Sequence, residues 1–369
     1  MKKILFVATM QSHVGQFHNA TIKSLKENGY EISVAAKNNL KEKDTLVIDN
    51  VDKIYNLPFA RSPLSLTNLK AYKMLKKIIK EGEYDIVYCH TPVGGALSRL
   101  ACRKLRKKGK VKVVYMAHGF HFYKGASKKN WLIYYTIEKL LAKHTDTLIT
   151  INTEDFELAK QKLKIKDIRY VHGVGVDTER LITNQTKEEI REKIGVSSKD
   201  FVILMVGELN QNKNQIVVLK ALSELNNPDI KLLIAGNGPN REFLEEQVKE
   251  LNLTDCVRFL GYTRQIGEYY KMADVFILSS KREGLPCAVM EAMASGLAVI
   301  CSNIRGCRDL VEDGKGGYLC SPLNSQDFID AIQKVYNAKD ESFGAFNMEK
   351  IIPFTTQKVV QEIKEIFEK

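Results

Sequence analysis

Short runs rich in Val, Ile and Leu alternate with longer stretches of helical periodicity, and the alternation runs through this chain twice. KKILFVAT, EISVAAK, DKIYNLPF, YDIVYCH, VKVVYMAHG and DTLITIN read as strands, with helices expected over Gln16–Asn28, Leu66–Lys80, Gly94–Lys108 and Trp131–Lys143. Strands separated by helices form a parallel sheet covered on both faces, not hairpins. After YVHGVGVDTERL the pattern starts again. FVILMVGEL, IKLLIAGNG, VRFLGYT, ADVFILSS and LAVICSN read as strands. The helices Asn214–Leu225, Arg241–Leu251, Ile266–Met272 and Pro286–Ser295 lie between them, and Thr356–Phe367 is a last helix. The reading is an α/β chain of two doubly wound, Rossmann-like domains. Ligands of such sheets bind at the carboxyl ends of the strands. Two such sheets facing each other would make a cleft.

Other properties agree with two domains. A chain of 369 residues exceeds what one core usually organises. Residues 1–172 hold 32 Lys and Arg against 15 Asp and Glu, a net charge of +17, whereas the remainder carries −5. All seven histidines fall in the first part, so the two halves are expected to meet different partners. The seven cysteines include no C-x-x-C pair and read as reduced, buried thiols of a cytoplasmic protein. No apolar run reaches the length of a spanning helix, and MKKILFVATM reads as a first strand rather than a leader. The basic charge alone could suit nucleic acid, but no helix-turn-helix, RNP or zinc pattern accompanies it.

One stretch concentrates the chemistry. In EGLPCAVMEAMASG, Glu283 and Glu291 stand eight residues apart around a Gly-Leu-Pro turn. Pro286 suits a first helical position and Gly296 a stop. Glu283 is then expected in the loop after strand ADVFILSS. The N–H groups of Gly284 to Cys287 would open a helix, an electropositive end that favours anions and hydroxyl oxygens. Ala288, Ala292 and Ala294 leave room beside Glu291. The plainer reading makes Glu283 a first-turn helix stabiliser and Glu291 a solvated position.

The stretch resembles the E-x7-E motif of family 4 retaining glycosyltransferases, which have the GT-B fold. The resemblance covers essentially the whole chain and is nearest to the capsular and exopolysaccharide branch. HTPVGG (90–95), MAHGFHFYKGA (116–126), GVGVDTERL (173–181), VGELNQNKNQ (206–215), AGNGP (235–239), FLGYTRQI (259–266) and NIRGCRDLV (303–311) also carry it. It implies an acceptor-side domain over 1–174, a nucleotide-sugar-binding domain over 175–345 and a segment, 346–369, returning to the first domain.

The resemblance also implies roles. Glu283 contacts hydroxyls of the donor sugar and Glu291 the ribose diol. Lys213 neutralises the diphosphate, with Gly207, Gly238, Gly284, Leu285 and Pro286 lying along the donor. Tyr262 and Arg264 belong to the loop that reads the base. His118 matches the active-site histidine. Gly15, in the loop after the first strand, would let backbone approach the diphosphate. His90 and His121 are placed on the acceptor side. Where the family has an arginine, this chain has Glu208, and Arg305 or Arg308 could compensate. There is no Asp-x-Asp pair, so no metal and no other cofactor is expected; fixed positive charge would stabilise the leaving diphosphate. The implied reaction retains anomeric configuration by front-face attack, with no nucleophile on the enzyme.

The implied donor is a UDP-sugar, an N-acetylhexosamine, and the implied acceptor a polyprenyl-diphosphate-linked glycan. In SRLACRKLRKKGK, Arg99, Arg103, Lys104, Arg106, Lys107 and Lys108 cluster on one helix. Lys128 and Lys129 adjoin Trp131, Leu132 and Ile133. Cations beside apolar groups suit an anionic membrane surface, hence peripheral attachment at the inner face of the cell membrane. Two alternatives remain at this point: a UDP-sugar 2-epimerase of related fold, and a catalytically silent scaffold subunit.

Overall fold

The alternation builds two parallel sheets. In a computed structural model that describes residues 1–40, 46–338 and 342–368, they lie in two units: Met1–Gly175 with Thr356–Lys369, and Val176–Thr355. Unit 1 contains β1 (Lys3–Met10), β2 (Glu31–Lys37), β3 (Lys53–Asn56), β4 (Ile86–His90), β5 (Lys112–Ala117), β6 (Thr147–Thr150) and β7 (Asp167–Tyr170). Their order is β3-β2-β1-β4-β5-β6-β7, all parallel. Ile4 to Ala8 of β1 are fully buried, as a central strand covered on both faces requires. One face packs Leu5, Val7, Leu75, Val87 and Val113 into a single cluster. Each such side chain contributes about 1.5–3 kcal/mol on burial, far more than helix propensity supplies.

Unit 2 repeats the plan with β8 (Phe201–Val206), β9 (Ile230–Ala235), β10 (Val257–Gly261), β11 (Val275–Leu278), β12 (Ala298–Ser302) and β13 (Gly317–Cys320). The order is β10-β9-β8-β11-β12-β13. In both sheets the winding reverses direction once, between β1 and β4 in unit 1 and between β8 and β11 in unit 2. Such a reversal parts the connecting loops and opens a crevice at the carboxyl end of the sheet.

Several elements differ from expectation. The single helix expected over 16–28 is two, Gln11–Phe17 and Asn19–Glu27, broken at His18 with φ −127° and ψ 0°. The helix expected from Pro286 begins at Cys287, with Pro286 as its extended N-cap. Helices Thr153–Lys162, Lys187–Ile194, Ser325–Ala338 and Ser342–Lys350 were not anticipated, nor were β7 and β13. The two strands have four residues each, too few for a period to show. KEEIREKI is mostly charged, and its helix is secured by a capping box between Thr186 and Glu189.

The helix Thr356–Glu368 belongs to unit 1. Phe367 sets its ring edge on Tyr88 at 5.0 Å, and Lys112 Nζ donates to the Ile366 carbonyl at 3.0 Å. The segment before it, from 346 to 355, belongs to unit 2 instead. There the amide of Asn347 donates to the Leu297 and Gly316 carbonyls at 2.8 and 2.7 Å. Residues 41–45, 339–341 and 369, which the sequence reading assigned to domains, lie outside the described residues.

Candidate functional site

In unit 2 the loops after β8 and β11 meet across the reversal point. Lys213 Nζ donates to Glu283 Oε1 at 2.7 Å, and both side chains are largely buried. The asparagines of NQNKN explain why the loop holds this shape. Asn210 Oδ1 accepts from the N–H groups of Asn212 and Lys213 at 3.0 and 2.9 Å. Asn212 Nδ2 donates to the Arg282 carbonyl at 2.9 Å, and Lys281 N–H returns a bond to the Asn212 carbonyl at 2.7 Å. Asn214 takes a left-handed φ of 56° and ties the loop to Ser279 and Pro322. The ion pair is thus fixed by two loops bonded to each other.

Glu291 lies on the helix Cys287–Ala294. The hydroxyl of Tyr270 donates to Glu291 Oε2 at 2.9 Å, with the Ala288 carbonyl 3.1 Å away. Burial holds the Glu291 carboxyl above its usual pKa. The Tyr270 bond and the positive charge of Arg180 pull against that rise, and Asp177 adds to it. Cys287, between the two glutamates, is pushed up to about 12, chiefly by burial, so it stays a thiol. No side chain caps this helix N-terminus, although its third amide, Val289 N–H, donates to the Pro286 carbonyl at 3.1 Å.

The other second-unit candidates follow the same strand ends. Gly207 (φ 153°) and Gly236 (φ 139°) end β8 and β9, and a Cβ on Gly236 would stand 1.9 Å from the Gly207 carbonyl. Gly238 backs onto the Leu209 backbone, again without room for a side chain. Gly284, half-buried, and Leu285 and Pro286, both buried, form the turn, which presses on Gly306. Tyr262, after β10, is 68% exposed, and Arg264 is also exposed. Glu208 is exposed and accepts from Asn210 Nδ2 at 2.9 Å. Of the two arginines named as substitutes, Arg305 is buried with Nε on the Glu283 carbonyl at 3.1 Å. Arg308 is exposed and reaches Asn303.

In unit 1 the corresponding strand ends carry imidazoles. His118, just after β5, has its Nε2 3.2 Å from His13 Nε2 and 3.2 Å from His90 Nδ1. The ring of His18 lies over that of His90 at 4.0 Å. Burial lowers all four, with His13 pushed down to about 4 and the others well below the usual histidine range, so the cluster is neutral at pH 7. Beside it Thr91 is held at φ 62°, a conformation that costs on the order of 1–3 kcal/mol. Its hydroxyl meets that of Thr9 at 2.7 Å, clasping the ends of β4 and β1. A cavity of 540 Å³ opens here, lined among others by His13, Arg61, Thr91, His121, Tyr134 and Glu138. His121 stacks on Tyr134 at 4.5 Å.

Comparison with known proteins decides the family. Residues 186–345 match the model "Glycosyl transferases group 1", and residues 3–152 match "Glycosyl transferase 4-like". EpsD of Bacillus subtilis (strain 168), named as a glycosyltransferase, is 39% identical over 99% of this chain and 96% of its own. This chain belongs to the family 4 glycosyltransferases. Another relative of the glycosyltransferase is an Escherichia coli protein named UDP-Gal:alpha-D-GlcNAc-diphosphoundecaprenol alpha-1,3-galactosyltransferase. It is 32% identical over 86% of this chain and 84% of its own. Among solved structures, Anabaena Alr3699/HepE in complex with UDP superposes with a TM-score of 0.80 over all of both chains, at 19% identity. That likeness supports the GT-B fold, two parallel-sheet Rossmann-like domains.

Three expectations for the glycosyltransferase need correction. Gly15 is in no loop. It sits buried inside the helix Gln11–Phe17, where a Cβ would stand 2.7 Å from the Val47 carbonyl, so packing accounts for it. Arg99 is no part of a surface patch. It is fully buried, holds Glu138 through two bonds of 2.6 and 3.0 Å, and lies 4.0 Å over the Tyr115 ring. Trp131 turns inward against Phe122 and Tyr135, leaving Leu132, Ile133, Ile137 and Leu140 as the exposed apolar row.

Reading the sequence missed Tyr270, His13, His18 and Asp155. Asp155 accepts from Phe120 N–H at 2.9 Å and from Asn152 Nδ2 at 3.0 Å, which steadies the loop after His118. Only the Asn-Thr-Glu-Asp cap pattern at 152–155 could have signalled that one.

Proposed function

We propose that this glycosyltransferase moves an N-acetylhexosamine from a UDP-sugar to a hydroxyl of a polyprenyl-diphosphate-linked glycan, with retention of anomeric configuration. The observation that carries the reading is the Lys213–Glu283 pair at the reversal point of unit 2, with Glu291 fixed by Tyr270 nearby. One cation and two carboxylates on adjoining elements match a diphosphate flanked by two sugars. Lys213 neutralises the diphosphate, Glu283 accepts from donor-sugar hydroxyls and Glu291 from the ribose diol. Tyr262 and Arg264 flank the base. Because a lysine and a helix N-terminus carry the leaving-group charge, neither Mg2+ nor Mn2+ is needed on the diphosphate. The acceptor oxygen bonds to the anomeric carbon as the bond from that carbon to the phosphate oxygen breaks. The hydroxyl proton passes to the departing phosphate.

The unit 1 cavity, with Arg61, His13 and His121 in its wall, suits the acceptor. Leu64, Leu66 and Leu69 are exposed beside one wall, and Leu132, Ile133, Ile137 and Leu140 beside another, with Lys128, Lys129 and Lys139 among them. Leucines between lysines suit the boundary of an anionic membrane, where a polyprenyl chain resides. No helix among the described residues is long and apolar enough to cross one. A second donor, UDP-galactose, is favoured by the name of the Escherichia coli relative.

The test offers labelled UDP-sugars to the enzyme with synthetic N-acetylglucosaminyl-diphospho-polyprenol in anionic vesicles, and determines the product's anomeric configuration by NMR. An α-linked product from UDP-N-acetylhexosamine is expected. An α-linked product from UDP-galactose alone would replace the donor. A β-linked product, or a free epimerised sugar, would overturn the reading.

A further inference from the structure

The four imidazoles of unit 1 form a group whose geometry a hydrogen-bond network does not explain. His13 and His18 follow β1, His90 ends β4 and His118 follows β5, so three adjacent strands of one sheet each deliver a ring to one point. The nitrogen His118 Nε2 is 3.2 Å from two others at once, His13 Nε2 and His90 Nδ1. A ring nitrogen carries either one proton or one in-plane lone pair, so it makes one good hydrogen bond, not two. Both ring nitrogens of His18, and Nε2 of His90, are buried without a hydrogen-bond partner. Buried polar atoms left in that state cost about 1–3 kcal/mol each. A group of four rings held so calls for an occupant that accepts several nitrogen lone pairs together.

We propose that His13, His18, His90 and His118 bind a divalent transition-metal ion, zinc or one of its borderline neighbours, at the carboxyl ends of β1, β4 and β5. Zinc–nitrogen bonds of about 2.0–2.1 Å in a tetrahedron set the nitrogens about 3.3–3.4 Å apart. The two 3.2 Å contacts to His118 fall just short of that spacing. One nitrogen from each of the four rings lies within 4.8 Å of all the others, and the His18 ring, 4.0 Å from that of His90, must turn to direct a nitrogen at the ion. It is the one cluster of this kind among the described residues. A set of imidazoles with no carboxylate selects zinc, copper, nickel or cobalt and rejects magnesium and calcium. The ion is therefore distinct from any that would serve a diphosphate: its ligands belong to unit 1, whereas Lys213 belongs to unit 2. Bound there, it ties together the loops after three strands, including the strained turn at Thr91. The absence of Asp-x-Asp says nothing against it, because these ligands are spread over 105 positions of sequence.

The test needs no sugar substrate, so its outcome is independent of the transfer reaction. Full-length protein without a histidine tag is stripped with chelator and titrated with Co2+, then with Zn2+ against a chromophoric competitor. The expected result is about one ion per chain with the intense visible bands of four-coordinate cobalt. His13→Gln and His90→Gln should each weaken binding by at least about tenfold while circular dichroism stays native. His13 is half-buried, so its variant is the safer one for folding. Zinc should raise the melting temperature of the wild type and not of His13→Gln. Cobalt that stays six-coordinate, or zinc bound equally well by both variants and the wild type, would overturn the proposal.

Discussion

Both units reverse their winding at one place, and at both places the loops on either side touch through side chains, but the contacts differ in kind. In unit 2 the bridge is charged, Lys213 to Glu283, and rests on asparagine-rich loops and on glycines packed backbone to backbone. In unit 1 it is neutral, an imidazole cluster clamped by Thr9 and Thr91, above a cavity of mixed lining. The same topology thus presents a charged, polar crevice in one unit. In the other it presents a corner of neutral, buried imidazoles beside a cavity. The overall charges run the other way, since the first 172 residues are the basic ones. Fold charge and site charge are separate matters here: the surplus lysines and arginines of unit 1 lie mostly on its surface.

The contrast is broken most severely by Glu283→Ala. Transfer should fall by at least about a hundredfold, because an interaction made to the reacting sugar is lost. Folding should survive, since Lys213 keeps 21% of its side chain exposed and water can replace its partner. Retained turnover, measured with labelled donor, would remove Glu283 from the site. Lys213→Ala comes next. UDP should bind about 10–100-fold more weakly, the equivalent of one charge-assisted bond of about 1.5–3 kcal/mol. UMP, lacking the second phosphate, should lose less, which calorimetry on both ligands checks.

The smallest effect sharpens the comparison through pH. Burial raises the Glu291 pKa above its usual value. As an acceptor of the ribose diol it must be ionised, so UDP affinity falls as pH drops through that raised value and is regained above it. Glu291→Gln should abolish this acid limb. Tyr270→Phe removes the bond that lowers the Glu291 pKa, so the limb should move to higher pH with a few-fold loss of affinity. A limb unchanged in both variants would show that Glu291 does not face the ligand.

Much of unit 2 could be read from sequence because its site residues are local. Glu283 and Glu291 share one fourteen-residue stretch, and NQNKNQ holds its own loop chemistry. Tyr270 escaped, being a lone aromatic in an ordinary short helix whose hydroxyl finds its partner only after folding. Unit 1 was less readable for the same reason on a larger scale. His90 opens one recognisable motif and His118 stands in another. The partnership of His13 and His18 with them exists only because β1, β4 and β5 lie side by side, which no spacing rule gives. Arg99 shows the converse error, a residue in a basic run whose side chain is taken inward by Glu138, 39 positions away.

The measurement that tests the central claim most directly is calorimetric binding of UDP to the wild type in EDTA, beside Lys213→Ala and Glu291→Ala. The account predicts binding that persists without any divalent ion and weakens in both variants. UDP binding that vanishes in EDTA and returns with Mg2+, or that is the same in all three proteins, would contradict it.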